Sequence, residues 1–150
     1  FLSVDAPEPC RAAPYGRQWF PIPRLDGSSE GEARVGLLAA AEDLGAWLDS
    51  TLGEEGMDPA RLALFGFSQG AMMALHVAPR RAEAVAAVVA CSGRLLAPDL
   101  LAAEVRSRPP VLLMHGDRDE MVPPAALPEA ARALQGAGWS EVHAYTMKGT

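Results

Sequence analysis

Ser68 stands in Gly66-Phe67-Ser68-Gln69-Gly70, directly after the apolar run Leu62-Ala63-Leu64-Phe65 and directly before a segment with helical spacing. A serine hydroxyl attacks a carbonyl well only when a base takes its proton and fixed donors face the developing oxyanion. Gly-x-Ser-x-Gly by itself is a modest signal, expected by chance in roughly one chain in twenty of this length. Its strand-turn-helix setting adds the weight, because a serine on so sharp a turn is held clear of the sheet in strained backbone. Glycines on both sides are expected to let strand and helix approach, with Ala71 small enough to keep the helix close. The Gln69 amide, at the head of that helix, is the expected oxyanion donor. The plainer alternative is that the glycines only punctuate a turn and Ser68 only caps a helix.

A second chemical stretch is Val111-Leu112-Leu113-Met114-His115-Gly116-Asp117-Arg118-Asp119-Glu120-Met121-Val122-Pro123, a buried strand that ends in acids. Sites in parallel sheets collect at the carboxyl ends of strands, and a serine-histidine system needs a carboxylate there to orient the imidazole and stabilise its cation. The distance of about fifty residues from Ser68 suits the chain order Ser, Asp, His. From residue type alone, Asp117 and Asp119 both qualify, and either could instead cap a solvated turn.

Short apolar runs at Phe1 to Val4, Leu62 to Phe65, Val85 to Cys91 and Val111 to Met114, with a weaker one at Val142 to Tyr145, alternate with helical patterns and predict a mostly parallel sheet with helices on both faces. Leu37, Leu38, Ala41, Leu44, Leu48 and Leu52, broadened by Trp47, predict an amphipathic helix. Ser29 with Glu32 marks its start as a capping box, and Gly53 and Gly56 before Asp58-Pro59 mark its end. Further helices are expected from about Gln69 to Val77, stopping near Pro79, and from about Ala125 to Leu134, closing at Gly136 and Gly138. The proline-rich segment from Ala6 to Gly27 reads as one long loop.

The chain has 150 residues, 49% hydrophobic and 21% charged, with a net charge of −6. Mean hydropathy is near zero, and one globular domain over residues 1–150 is the expectation. Lys148 is the only lysine and no basic run exists, so nothing would neutralise a nucleic-acid backbone or dock on anionic lipid. A small neutral or amphipathic substrate fits better. Cys10 and Cys91 lack the spacing of a metal site or a disulfide framework, which suits a reducing cytoplasm. No stretch reaches a membrane span, and no signal peptide is visible. The chain starts at Phe1 in mid-pattern, as a segment of a longer protein would.

With Gly66-Phe67-Ser68-Gln69-Gly70 followed by His115-Gly116-Asp117-Arg118-Asp119-Glu120-Met121-Val122-Pro123, the chain resembles the phospholipase/carboxylesterase family, which includes the acyl-protein thioesterases. The likeness runs from Val4-Asp5-Ala6-Pro7 through Trp19-Phe20 to Tyr145-Thr146-Met147-Lys148-Gly149. It implies an α/β-hydrolase fold and hydrolysis of carboxylic or thioester bonds with small to medium acyl groups. It places the acid on Asp119 and leaves Asp117 structural. It also implies a second oxyanion donor on a His-Gly-x-Gly segment before Phe1, and a catalytic histidine just after the last strand. Neither lies within these residues. His76, His115 and His143 read as structural, so the segment is expected to belong to a parent of at least about 200 residues and to be inert alone.

The expected cycle is a two-step acyl transfer through an acyl-enzyme on Ser68, with Asp119 orienting the base and no metal or organic cofactor. Phe67, Trp19, Leu95, Leu96, Met121 and Val122 are the candidate substrate contacts, although most of them could equally be core, Trp19 and Leu96 among these. A homodimer is left open. The rival readings are a serine peptidase of the prolyl-oligopeptidase kind and a non-catalytic hydrolase-fold binding module. Gln69 and the single glycine at Gly70, followed by Ala71, favour the esterase.

Overall fold

In the computed structural model, which describes residues 1–150, the chain falls into two units, Phe1–Trp47 and Leu48–Thr150. The run from Phe1 to Val4, expected as a strand, is irregular and exposed. A strand is held only when its N–H and C=O groups find a ladder partner, and no strand pairs with this segment. The expected long loop is also more ordered than its prolines suggested. It contains the short antiparallel pair β1 (Glu8–Pro9) and β2 (Arg17–Gln18), followed by α1 (Pro23–Asp26). The Arg17 guanidinium ties the pair by donating to the carbonyls of Ala6 and Pro7, and Pro23 at the first helical position presets the backbone of α1.

Helix α2 (Glu30–Glu55) spans the division between the units. Its capping box forms as expected: the Glu32 N–H donates to the Ser29 hydroxyl at 3.1 Å, and the Ser29 N–H donates to the Glu32 carboxylate at 2.8 Å. The buried stripe is Leu37, Ala40, Leu44, Leu48 and Leu52, narrower than expected. Leu38 and Trp47 are exposed and Ala41 is half-buried, because each residue turns about 100° from the last and only one side of the cylinder is covered.

In the second unit, Asp58 accepts from the Ala60 N–H at 2.8 Å and turns the chain into β3 (Ala63–Phe67). There follow α3 (Gln69–Val77), β4 (Ala87–Cys91), α4 (Pro98–Glu104), β5 (Val111–Gly116), α5 (Ala126–Gly136) and β6 (Val142–Met147). The four strands pair in parallel in the order β3-β4-β5-β6. Helix α4 was not anticipated from apolar spacing, since it is short and buries only Leu101; Pro98 and Asp99 in its first turn are its sequence signature.

Alternation along the strands sets the core. Val88, Ala90, Val111 and Leu113 are buried in one cluster with Ala71, Ala74 and Leu75 of α3 and Leu127, Ala130 and Leu134 of α5. Each leucine so buried stabilises the fold by about 2 kcal/mol. On the alternate positions Val89, Leu112 and Met114 are half-buried, while Phe65 and Phe67 are exposed. The registers Phe67↔Cys91, Cys91↔Met114 and Gly116↔Met147 bring the carboxyl ends of all four strands to one edge of the sheet. No helix is long and apolar enough to cross a membrane.

Candidate active site

Ser68 sits between the last residue of β3 and the first residue of α3 with φ 51 and ψ −117, a conformation that costs a non-glycine residue about 1–3 kcal/mol and that the surroundings must impose. Two hydrogen bonds impose it. The Ser68 N–H donates to the Cys91 carbonyl at 2.9 Å, and its carbonyl accepts from the Met72 N–H at 3.1 Å. Although Ser68 is in the N-cap position, its side chain makes no capping hydrogen bond. The hydroxyl is therefore not spent on helix initiation, which removes the main support for the plainer reading of this serine.

Sterics complete the turn. A Cβ on Gly66 would lie 2.3 Å from the Gly70 carbonyl carbon and 2.4 Å from the Ala71 nitrogen, both backbone atoms that cannot yield. A Cβ on Gly70 would meet nothing within 4 Å. Of the two glycines expected to be needed, only Gly66 is demanded by this packing, because strand and helix touch at its Cα. Gln69 opens α3, at the end of the helix whose dipole favours negative charge.

The exit of β4 lies between this turn and the acid. The Ser92 N–H donates to the Met114 carbonyl at 2.8 Å, and Ser92, 8% exposed, also holds a left-handed backbone at φ 50. The next residue is wedged on the other side: a Cβ on Gly93 would fall 2.6 Å from the Ala71 Cβ and 3.1 Å from the Ser68 carbonyl oxygen. β5 ends one strand further on, and the acid turn follows it.

In that turn Asp119 Oδ1 accepts from the Met121 and Val122 N–H groups, each at 2.9 Å. Its Oδ2 lies 3.4 Å from His115 Nε2. The Val122 amide, with further help from Met121, His115 and Ser92, holds the Asp119 carboxyl below its ordinary value of 3.8, against a smaller opposing effect of burial. His115 Nε2 donates to the Val122 carbonyl at 2.9 Å, which assigns the proton to Nε2, since a carbonyl can only accept. Asp117 is employed elsewhere. Its Oδ1 accepts from the Gly149 N–H at 2.8 Å and its own N–H donates to the Met147 carbonyl at 3.0 Å, so it binds the residues after β6 to those after β5.

Ser68 and Asp119 thus stand at one sheet edge with β4 between them, and parallel strands about 4.8 Å apart leave room there for a bridging ring. None of the three histidines occupies that place. His76 is buried on α3, His115 is committed to Val122, and His143 pairs with Leu112 well before the carboxyl end of β6. Of the candidate substrate contacts, Phe67 and Met121 are 66% and 55% exposed and flank the two turns directly. Val122 is buried, with both backbone groups engaged in the acid turn. Leu95 and Leu96 line a cavity of about 130 Å³ with Ala97, Ala126 and Ala130; Ser68 does not line it. Trp19 is half-buried just after β2, in the N-terminal unit. Ser92 and Gly93 were missed by sequence reasoning. The signal available was a small polar pair directly after the apolar run ending at Cys91.

Comparison with known proteins adds a family to this geometry. The family model for Phospholipase/Carboxylesterase matches residues 1–150. The chain is 30% identical over 139 residues to esterase YpfH of Escherichia coli (strain K12), covering 91% of this chain and 56% of YpfH. Among solved structures it resembles that of esterase PE8, with a TM-score of 0.82, 38% identity and coverage of 97% of this chain and 67% of PE8. The Arabidopsis thaliana SOBER1 structure, at 23% identity, 99% coverage of this chain and 75% of that one, and a TM-score of 0.78, shares the fold. The chain spans little more than half the length of YpfH. With the parallel sheet, the strained Ser68 turn and a match over every residue, this chain belongs to the phospholipase/carboxylesterase family of α/β-hydrolases.

Proposed function

We propose that residues 1–150 are the part of a single α/β-hydrolase domain that carries the nucleophile and acid of a serine carboxylesterase or thioesterase acting on small to medium acyl groups. The observation that carries this reading is Ser68 at φ 51, held in a strained turn with its hydroxyl unused by the helix it precedes. Ser68 Oγ attacks the substrate carbonyl while the base accepts its proton, the Gln69 amide donates to the oxyanion, and collapse expels the alcohol or thiol leaving group. Water then attacks the acyl-enzyme by the same route in reverse. Asp119 holds the base in the tautomer that can accept the serine proton and stabilises its cation. The esterase names of YpfH and PE8 and the family membership support the reaction class.

The base is assigned to a histidine outside residues 1–150, as His76, His115 and His143 are all placed away from the Ser68 and Asp119 turns. The clamp from Asp117 to Gly149 supports a position after β6, since it brings that stretch alongside the acid turn. Phe67 and Met121 would contact the acyl group. A fluorophosphonate probe tests the proposal on the full chain. The expected result is stoichiometric labelling at Ser68, abolished in Ser68→Ala together with a fall in kcat of about 10⁶-fold. A full chain that never labels would be a binding module, and the proposal would be wrong.

A further inference from the structure

We infer that Asp117 is a positioning residue for the base: by accepting from the Gly149 N–H, its carboxylate fixes the backbone after β6 against the acid turn and so sets where an imidazole carried on that stretch meets Asp119 and Ser68. The inference rests on the proposed roles of Ser68 and Asp119 and on a base placed after β6. It gives a task to the aspartate that those roles leave over.

Gly116 and Met147 are the last registered pair of β5 and β6, and the Asp117 N–H extends that ladder by one bond to the Met147 carbonyl at 3.0 Å. Past this point regular pairing ends, and the two departing chains are joined by other means. Lys148 and Gly149 turn the chain, with Gly149 at φ 79, a left-handed backbone that glycine adopts without strain. The turn presents the Gly149 N–H to Asp117 Oδ1 at 2.8 Å. Beyond it, the Arg118 N–H donates to the Thr150 carbonyl at 2.7 Å. The fit is close on the β5 side as well, because a Cβ on Gly116 would fall 2.4 Å from the Thr150 carbonyl oxygen and 2.8 Å from its carbonyl carbon. The two glycines therefore serve different ends. Gly116 gives space, whereas Gly149, where a Cβ would meet nothing within 4 Å, gives conformation.

Asp117 contributes a side chain to a join made otherwise of backbone bonds and close packing. An ionised carboxylate accepting from a backbone N–H forms a charge-assisted bond, stronger than one between neutral groups. Without it the ladder and the Arg118 bond would still hold β5 to β6, but the direction in which the chain leaves Gly149 would be less defined. Two residues further on, Asp119 accepts from the amides of its own turn. One short stretch thus fixes two things: Asp119 orders the acid turn, and Asp117 orders the neighbouring chain relative to it. A misplacement of about 1 Å in a catalytic group can cost about 10²-fold in rate, so a small loosening of this join would be felt at Ser68.

The test uses the full chain, with active sites counted by fluorophosphonate titration. Asp117→Ala is expected to lower kcat per site by about tenfold or more with KM unchanged. Asp117→Asn, whose amide oxygen can accept the same N–H, should stay within about threefold of wild type. The acidic limb of the kcat/KM profile reports the base in the free enzyme, and it should move to lower pH in Asp117→Ala, since an imidazole held less closely to the Asp119 carboxylate loses part of the charge that favours its cation. An aspartate that only supported the fold would leave that limb in place. Gly149→Ala probes the same contact from the other side: its Cβ meets open space, but the left-handed backbone disfavours alanine, so kcat should fall in the same way and carries the test should Asp117→Ala fail to fold. Combined, the two changes should lower kcat by less than the product of their separate effects, because both act through one hydrogen bond. Full kcat in either variant, an unmoved acidic limb, or an Asp117→Asn as impaired as Asp117→Ala would overturn the inference. Failure of wild type to label would sink the serine hydrolase reading and this inference with it, whereas a labelled, active wild type with an unimpaired Asp117→Ala would sink the inference alone.

Discussion

At the Ser68 turn the backbone is held by contact, whereas at the Asp119 turn it is held by hydrogen bonds to a charge. The first depends on an atom being absent, the Cβ that Gly66 lacks at 2.3 Å from the Gly70 backbone. The second depends on donors being present, the Met121 and Val122 amides on one carboxylate oxygen, with His115 Nε2 3.4 Å from the other. Contact constrains without regard to pH and fails abruptly when volume is added. A ring of donors tolerates small shifts but vanishes when the charge is lost. In the roles proposed above, the nucleophile must be strained to point out of the sheet, and the acid must only remain ionised and oriented. Each turn uses the force suited to its task.

After removal of the Ser68 hydroxyl itself, the largest expected effect lies on the hydrogen-bonded side. Asp119→Asn keeps the shape but removes the charge and favours the wrong tautomer of the base, so kcat should fall by about 10⁴-fold while the protein still folds. A loss under about tenfold would show that the acid sits elsewhere, with Asp117 the next residue to replace. On the contact side, Gly66→Ala forces backbone apart and should destabilise the fold by about 3 kcal/mol or more, read by chemical denaturation. An alanine tolerated at 66 would mean that the turn is not sterically determined.

Acid distinguishes the two turns next. His76, on the helix that follows Ser68, is pushed down from 6.5 to about 4, first by burial and then by the nearby Arg80 charge, with Glu104 and the Leu96 carbonyl opposing. Between those two values the unfolded chain binds a proton that the folded one refuses, so stability is lost as pH falls through that window, by about 3 kcal/mol in all. Asp119 behaves differently. Its folded pKa lies below 3.8, so its contribution is fully present above that value and is lost only on further acidification. Hydrogen exchange at pH 5 should therefore show α3 weakened while the acid turn is intact, and His76→Gln should flatten the loss. Equal weakening of both turns at pH 5 would contradict the assignment. The smallest effect should be that of Gly70→Ala, which points into open space in the first turn of α3 and should change stability by no more than about 1 kcal/mol, in the stabilising direction.

Much of this was legible in the residues, and the failures have causes. Strands β3, β4, β5 and β6 and helices α2, α3 and α5 follow from periodicity and from local stops such as Pro79 and Gly138. Phe1 to Val4 has strand composition but no strand, because pairing is a property of neighbours. The Ala6 to Gly27 segment looked structureless, yet one guanidinium and one proline ring organise it. Ser92 was invisible because serine after a strand is commonplace, and its left-handed backbone goes with a hydrogen bond from its N–H to the Met114 carbonyl, a partner that only the sheet order brings near.

What the sequence determined by itself was the chemistry available and the local elements that carry it: a Gly-x-Ser-x-Gly between strand and helix, an acidic strand end, and a parallel βα alternation. These are short-range properties, set by side-chain sterics and by spacing within a few turns of chain. The tertiary structure decided which glycine is indispensable, which aspartate accepts from the amides of its own turn and which binds the end of β6, and that Ser92 ends the strand between the Ser68 and Asp119 turns. Those outcomes depend on the parallel order β3-β4-β5-β6, which sets side by side strand ends that the chain itself keeps far apart.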